Sequence, residues 1–179
     1  VKRILLGFVT LIVVVTVIAY LLPQQISVSR SQTMAAPPQV IYGYLDNFRK
    51  FNEWSPWARR DTETVYVFSG PESGLGAKMS WASDNPQVGK GDEEIIEVRE
   101  YEFLKVSLDF GGQGTGEASF SLEPVDGGTS VTWSFETDLG YNPIARYMGL
   151  MFDDWVGQDY EAGLANLKDL VEKAASGSD

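Results

Sequence analysis

The chain has 179 residues, with 14 basic and 25 acidic side chains, a net charge of −11, and neither histidine nor cysteine. It therefore lacks the commonest general base, the commonest metal ligand and any thiolate. This argues against zinc chemistry, disulfides and Ser-His or Cys-His nucleophilic catalysis. The acidic balance disfavours nucleic acid and anionic lipid headgroups as partners.

Residues 4–22 carry no charge, and their only polar side chains are Thr10, Thr16 and Tyr20. As a helix rising about 1.5 Å per residue, this run approaches the ~30 Å hydrocarbon thickness of a bilayer. Its threonines can bond back to the helix's own carbonyls. Lys2 and Arg3 precede it, and short basic flanks tend to stay cytoplasmic. The expectation is a single-pass anchor over residues 1–23 in the cell inner membrane, with the rest of the chain periplasmic or otherwise extracytoplasmic. A cleaved signal peptide is the alternative, but its apolar region is usually about 7–15 residues and ends in a small-x-small site. Here the run is longer, and Leu21-Leu22-Pro23-Gln24-Gln25 follows it.

Residues 24–175 are one domain by length, and residues 176–179 are expected to be a disordered tail. Residues 25–33 alternate Ile26, Val28 and Arg30 against serines, the period of a strand. Ala35-Ala36-Pro37-Pro38 then opens a helix with Val40, Ile41, Tyr44 and Leu45 on its apolar face. Residues 48–57 (FRKFNEWSPW) predict a second short helix or aromatic turn, stopped by Pro56. Residues 64–69, 78–83, 91–99, 102–110, 116–122 and 129–137 each fit a strand, separated by Gly, Pro, Asp and Asn turns such as Asp126-Gly127-Gly128. Strands in succession without intervening helices imply an antiparallel meander.

Asn142-Pro143 predicts a capped helix start, and the helical pattern runs to about Lys173. Ile144, Met148, Met151 and Trp155 line one face. Tyr160, Leu164, Leu167 and Val171 continue it after a shift, placing a bend near Gly157. Gly149, Gly157 and Gly163 each cost on the order of 1 kcal/mol against Ala in a helix. Close packing on a sheet is the commoner reason to keep them, and room for a bound molecule the other.

The predicted fold class is α+β: a seven-stranded curved antiparallel sheet, two short helices after the first strand, and a long C-terminal helix covering the apolar face. A gap between curved sheet and helix must be filled or hold a ligand. Alternation sends Met79, Trp81, Leu104, Val106, Leu108, Phe110, Phe120, Trp133 and Phe135 toward it, and the helix pattern adds Tyr147, Met148, Met151, Trp155 and Tyr160. Trp57, Tyr66, Met79, Trp81 and Val106 are the candidate ligand-binding residues. Plain core is the competing reading for so aromatic an interior.

Trp54-Ser55-Pro56-Trp57 reads either as a rim over the cavity mouth or as a plug docking the short helices onto the sheet. Arg30 either snorkels at an edge or is a polar handle inside. Asp153-Asp154 with Asp159 and Glu161 is favoured as a solvated helix face over an ion site. No Walker A, dinucleotide fingerprint or EF-hand pattern fits, and no cofactor or metal is expected.

The chain resembles the polyketide cyclase/dehydrase group of the START-like superfamily, also called SRPBCC, in its membrane-anchored bacterial branch. The carrying residues are 31–40 (SQTMAAPPQV), Trp54-Ser55-Pro56-Trp57 with Asp61, and Ser69-Gly70-Pro71 with Gly74-Leu75-Gly76-Ala77. Residues 128–133 (GTSVTW) and Val156-Gly157 with Gly163-Leu164 complete them. The resemblance implies a helix-grip fold with a cavity for a hydrophobic small molecule or lipid, and many members bind or transport without catalysis. The leading expectation is a membrane-tethered binding module. The alternatives are a cyclase- or dehydratase-like enzyme, with Tyr66, Tyr147 and Tyr160 as candidate acids, or an envelope interaction domain with a vestigial cavity.

Overall fold

The structure, a computed structural model, describes residues 2–176. Helix α1 (Lys2–Leu21) is uninterrupted. The Thr10 and Thr16 hydroxyls donate to the Leu6 and Ile12 carbonyls at 2.9 and 2.8 Å, so neither needs water. Its apolar side chains are largely exposed, and it is the one helix among the described residues long and apolar enough to cross a membrane. That is the profile of a membrane anchor or a signal sequence.

Then follow β1 (Gln25–Met34), α2 (Pro38–Leu45), α3 (Phe48–Trp54), α4 (Pro56–Arg60), β2 (Val65–Ser69) and β3 (Lys78–Ala82). The chain continues through β4 (Lys90–Arg99), β5 (Phe103–Asp109), β6 (Thr115–Val125), β7 (Gly128–Asp138), α5 (Pro143–Gly149) and α6 (Phe152–Ser176). The seven strands form one antiparallel sheet in the order β1-β7-β6-β5-β4-β3-β2. β1 thus returns to pair with the last strand, and a bulge between Ile95 and Glu97 breaks the register within β4. At Gly128 (φ +156°) an added Cβ would lie 2.0 Å from the Met34 carbonyl oxygen, so only glycine lets β7 begin against the end of β1.

The short helices follow their local chemistry. Pro38 occupies the first turn of α2, and the Asn47 side chain caps α3 by accepting from the Arg49 and Lys50 amides. Pro56 cannot donate to that helix, so the predicted second helix divides into α3 and α4 around Ser55. Asn142 caps α5 as the sequence predicts, accepting from Ile144 and Ala145.

The C-terminal helix differs from expectation in one respect. The interruption falls at Leu150 and Met151, where i to i−3 bonds close the chain, and α6 runs straight through Gly157. At Gly149, the last residue of α5, an added Cβ would lie 2.7 Å from Leu139 and 3.1 Å from Ile26. At Gly163 an added Cβ would lie 2.8 Å from the Trp133 ring. Close packing is therefore the reason for these glycines. Ser176 is the last residue of α6, and the rest of the expected tail lies outside the described residues.

Tyr160, Leu164, Leu167 and Val171 of α6 enter a core with the inward faces of the sheet and Ile41, Leu45, Phe48, Phe51 and Trp54. Polar pairs tie the layers together at the rim. Arg30 on β1 binds Glu161 at 2.7 Å and Asp153 at 3.0 Å, while α4 reaches α6 through Arg60 to Asp159 and Arg59 to Asn166. Arg30 is thus a strap between β1 and α6. Those acidic residues belong to ion pairs, and no group of three or more metal-ligating side chains occurs among the described residues.

Candidate functional site

The interior divides into two unlike ends. At one, Trp133 stacks on Tyr160 with ring centroids 3.8 Å apart and planes 10° from parallel, and on Phe120 at 5.1 Å. Trp54, Phe51 and Trp57 meet the same indole edge-on at 5.3, 6.0 and 5.8 Å. This end is filled by rings. Trp54 is the plug foreseen for its motif: it is fully buried, and its Nε1 donates to the Tyr44 carbonyl at 3.1 Å. Trp57 remains partly exposed, at the junction of the two ends.

At the other end the register aligns Phe68, Met79, Glu93, Leu108 and Gly116 across five strands on the inward face. The adjacent row carries Tyr66, Trp81 and Gly91. Two glycines let rings lie flat on the sheet here. A Cβ on Gly91 would fall 2.5 Å from the Trp81 ring, and one on Gly116 would fall 2.5 Å from the Phe135 ring. From α6, Phe152 stacks near Phe135 at 6.3 Å, with Val156 and Tyr160 following along the helix.

Glu93 is the one carboxylate set into this apolar row. It is 9% exposed, and among the described residues its carboxyl makes no hydrogen bond or ion pair. Burial pushes its pKa up to about 8, so at neutral pH it is mostly a neutral acid able to donate a hydrogen bond. Burial also raises the Tyr160 phenol well above its ordinary value, and the Glu93 charge adds to this. Tyr66 is raised by burial too, with a smaller contribution from Glu93. All three groups share one low-dielectric region. The only fully enclosed side-chain polar atom without a partner among the described residues is Trp133 Nε1. The Glu93 carboxyl and the Tyr160 hydroxyl likewise make no hydrogen bond among the described residues, but neither is fully enclosed by protein atoms.

Of the candidate ligand-binding residues, Trp57, Tyr66 and Met79 border the Glu93 end. Trp81 lies in the same wall, but its Nε1 donates to the Val88 carbonyl at 3.2 Å and is not free to hold a ligand. Val106 sits one row away, between Ile95 and Ala118, in closed core. Other expectations for this interior are corrected. Tyr147 points away from it, its hydroxyl donating to the Val15 carbonyl of α1 at 2.8 Å. Met148, Met151 and Trp155 are about half exposed on the outside, because the break at Leu150 turns their stripe away from the sheet. Glu93 is hidden in the sequence because Asp92-Glu93-Glu94 reads as a solvated acidic run. The signal is the alternation Gly91, Glu93, Ile95, which puts Glu93 on the face of a buried isoleucine.

A separate concavity, an open groove of about 1210 Å³, runs along the solvent face of the sheet, bordered by Lys78, Glu94, Ser107, Glu117 and Glu136 and reaching Met79, Glu93 and Leu108. Its charges are solvated and partly paired, as in Lys78 with Glu94 at 2.9 Å, which does not suit an apolar guest.

A family model described as polyketide cyclase / dehydrase and lipid transport matches residues 25–172. Solved structures share the fold at low identity. The di-domain ARO/CYC StfQ from the steffimycin biosynthetic pathway aligns with a TM-score of 0.64 at 10% identity, over 86% of this chain and 52% of that one. A protein of unknown function from Staphylococcus aureus aligns at 0.64 and 10%, over 85% and 96%. A protein from Chromobacterium violaceum aligns at 0.55 and 17%, over 82% and 96%. No curated protein matches the chain.

Proposed function

The chain belongs to the polyketide cyclase/dehydrase and lipid transport family, and from that premise we propose that it is a membrane-tethered module binding a hydrophobic small molecule or lipid between sheet and α6. Residues 1–23 are the anchor and residues 24–175 the binding domain. The observation that carries this reading is Glu93: a buried carboxyl without a protein partner, walled by Tyr66, Phe68, Met79, Leu108 and Tyr160. Leaving such a group unpaired costs on the order of 1–3 kcal/mol, which a guest with one polar group on an apolar body offsets. The guest occupies the Glu93 end, since rings already fill the Trp133 end. Tethering holds the site at high effective concentration for molecules dissolved in the same membrane.

The test is organic extraction of the full chain purified from its membrane, with mass analysis of what it carries. One apolar species near one per chain supports the reading. Membrane lipids in bulk proportion, with nothing enriched, overturn it.

A second reading, that the bound molecule is chemically altered, draws on the same carboxyl. A neutral acid beside a phenol in a dry site is suited to proton delivery. Incubating the extracted molecule with the wild-type chain and with Glu93→Gln tests it. An altered mass with wild type alone supports catalysis, and an unaltered mass with both rejects it.

A further inference from the structure

The stripe of Ile144, Met148, Met151 and Trp155 that the sequence pattern picks out is real but largely uncovered among the described residues. Tyr141 and Ile144 are 77% and 70% exposed, Leu150 is 60% exposed, and Met148, Met151 and Trp155 are about half exposed. All of these exposed apolar residues fall between Tyr141 and Trp155, on α5, its two flanks and the first turn of α6. Isolated exposed apolar residues are ordinary on a soluble domain, but a cluster of this kind marks a contact surface.

What it contacts follows from how α5 is held. Arg146 is 5% exposed and donates to the Tyr20 and Leu22 carbonyls at the end of α1, at 3.2 and 3.3 Å, and to Gly140 and Gln24. Its guanidinium also lies 5.5 Å from the centre of the Tyr20 ring. One position on, the Tyr147 hydroxyl donates to the Val15 carbonyl. These bonds fix α5 alongside the last turns of α1, from Val15 to Leu22. At about 1.5 Å per residue that is roughly 10 Å of helix. If α1 spans the bilayer, α5 lies at the depth of one interfacial zone, where an exposed apolar face beside Tyr and Trp is stable.

We propose that α5 and the first turn of α6 insert into the interfacial zone of the leaflet at which α1 ends, with Tyr141, Ile144, Leu150 and Trp155 in lipid. This deepens the binding reading and rests on its reading of α1 as an anchor. Phe152, between Met151 and Trp155 of the patch, turns inward onto Phe135, so the interior abuts the leaflet that supplies its guest. The docking is apolar rather than electrostatic: the one basic side chain of α5 is spent on α1, and Asp153 and Asp154 flank the patch. It therefore needs no anionic lipid.

The chain has no cysteine, so single spin labels can be placed in the full protein reconstituted in phosphatidylcholine vesicles at low density. Ile144→Cys and Leu150→Cys are compared with Val9→Cys in α1 and Gln87→Cys in the exposed β3–β4 loop. The expected result is that labels at 144 and 150 collide with oxygen several-fold more often than with a water-soluble nickel chelate, as the label at 9 does and the one at 87 does not. Chelate access at 144 and 150 equal to that at 87, with 9 shielded, overturns the docking while leaving the anchor. Chelate access at 9 removes the anchor, and the docking with it. Labels at 144 and 150 shielded from both reagents and broadened by a neighbouring spin mean that a second copy covers the patch, which also overturns it.

Discussion

The ring of Trp133 on β7 lies on that of Tyr160 on α6, with centroids 3.8 Å apart and planes within 10°. This contact packs one end of the interface between sheet and helix with rings, and the Tyr160 hydroxyl makes no hydrogen bond among the described residues. Ring and hydroxyl therefore do separate things. Tyr160→Ala is expected to destabilise the fold by about 3–5 kcal/mol, the usual cost of deleting a buried aromatic ring. Tyr160→Phe is expected to change it by less than about 1 kcal/mol, because the hydroxyl has no protein partner to lose. Chemical denaturation followed by tryptophan emission distinguishes the two, and equal losses would contradict the assignment.

Glu93 gives the stability a particular pH dependence. Its folded pKa of about 8 stands above the ordinary 4.5, so the folded state holds a proton that the unfolded chain releases. The stability associated with this group is complete below about pH 4.5, falls as pH rises through the window, and levels off above pH 8. Asp46 is the other carboxyl raised by burial, whereas Asp61, Asp138, Asp153 and Glu172 are lowered and act below the ordinary carboxylate range. Glu93→Gln should remove the decline, leaving the variant more stable than wild type at pH 8 by on the order of 4 kcal/mol at most. Melting curves of both proteins from pH 4 to 9 measure it; parallel curves would mean that Glu93 is not buried as an acid.

Gly157 is where α6 receives the Arg30 guanidinium, and an added Cβ would lie 2.1 Å from its Nη2. Gly157→Ala is therefore expected to fall short of the gain of about 1 kcal/mol that the exchange brings in an unobstructed helix, because the Arg30 guanidinium must shift to admit the methyl group. In an Arg30→Ala background the obstruction is gone, and the same substitution should bring the full gain. A non-zero coupling in a double-mutant cycle is the readout, and additive effects would contradict the contact.

Much of this architecture was legible in the residues. The seven strands and their faces follow from period-2 alternation, because each has one buried side and turn chemistry between neighbours. The α5 cap follows from Asn142-Pro143. The C-terminal break was misplaced at Gly157 because a glycine in a helix reports a close approach without saying of what. Its partner there is Arg30, more than a hundred residues away in sequence, and only the folded sheet brings the two together. The outward turn of Met148 and Trp155 was invisible for a related reason: periodicity identifies an apolar stripe, not what covers it. Glu93 was masked by its acidic neighbours, although its parity with Ile95 placed it inward. The packed state of the Trp133 end depends on ring orientations, which no pattern encodes.

The central claim is that a guest occupies the Glu93 end of the interior. Native mass spectrometry of the full chain released from native nanodiscs tests it, comparing wild type with Leu108→Phe combined with Val156→Phe, two substitutions that add bulk to opposite walls. A bound apolar species on wild type, absent from the doubly substituted chain while both give the same circular dichroism, is the predicted result. The same species retained at equal occupancy on both chains, or on neither, would contradict it.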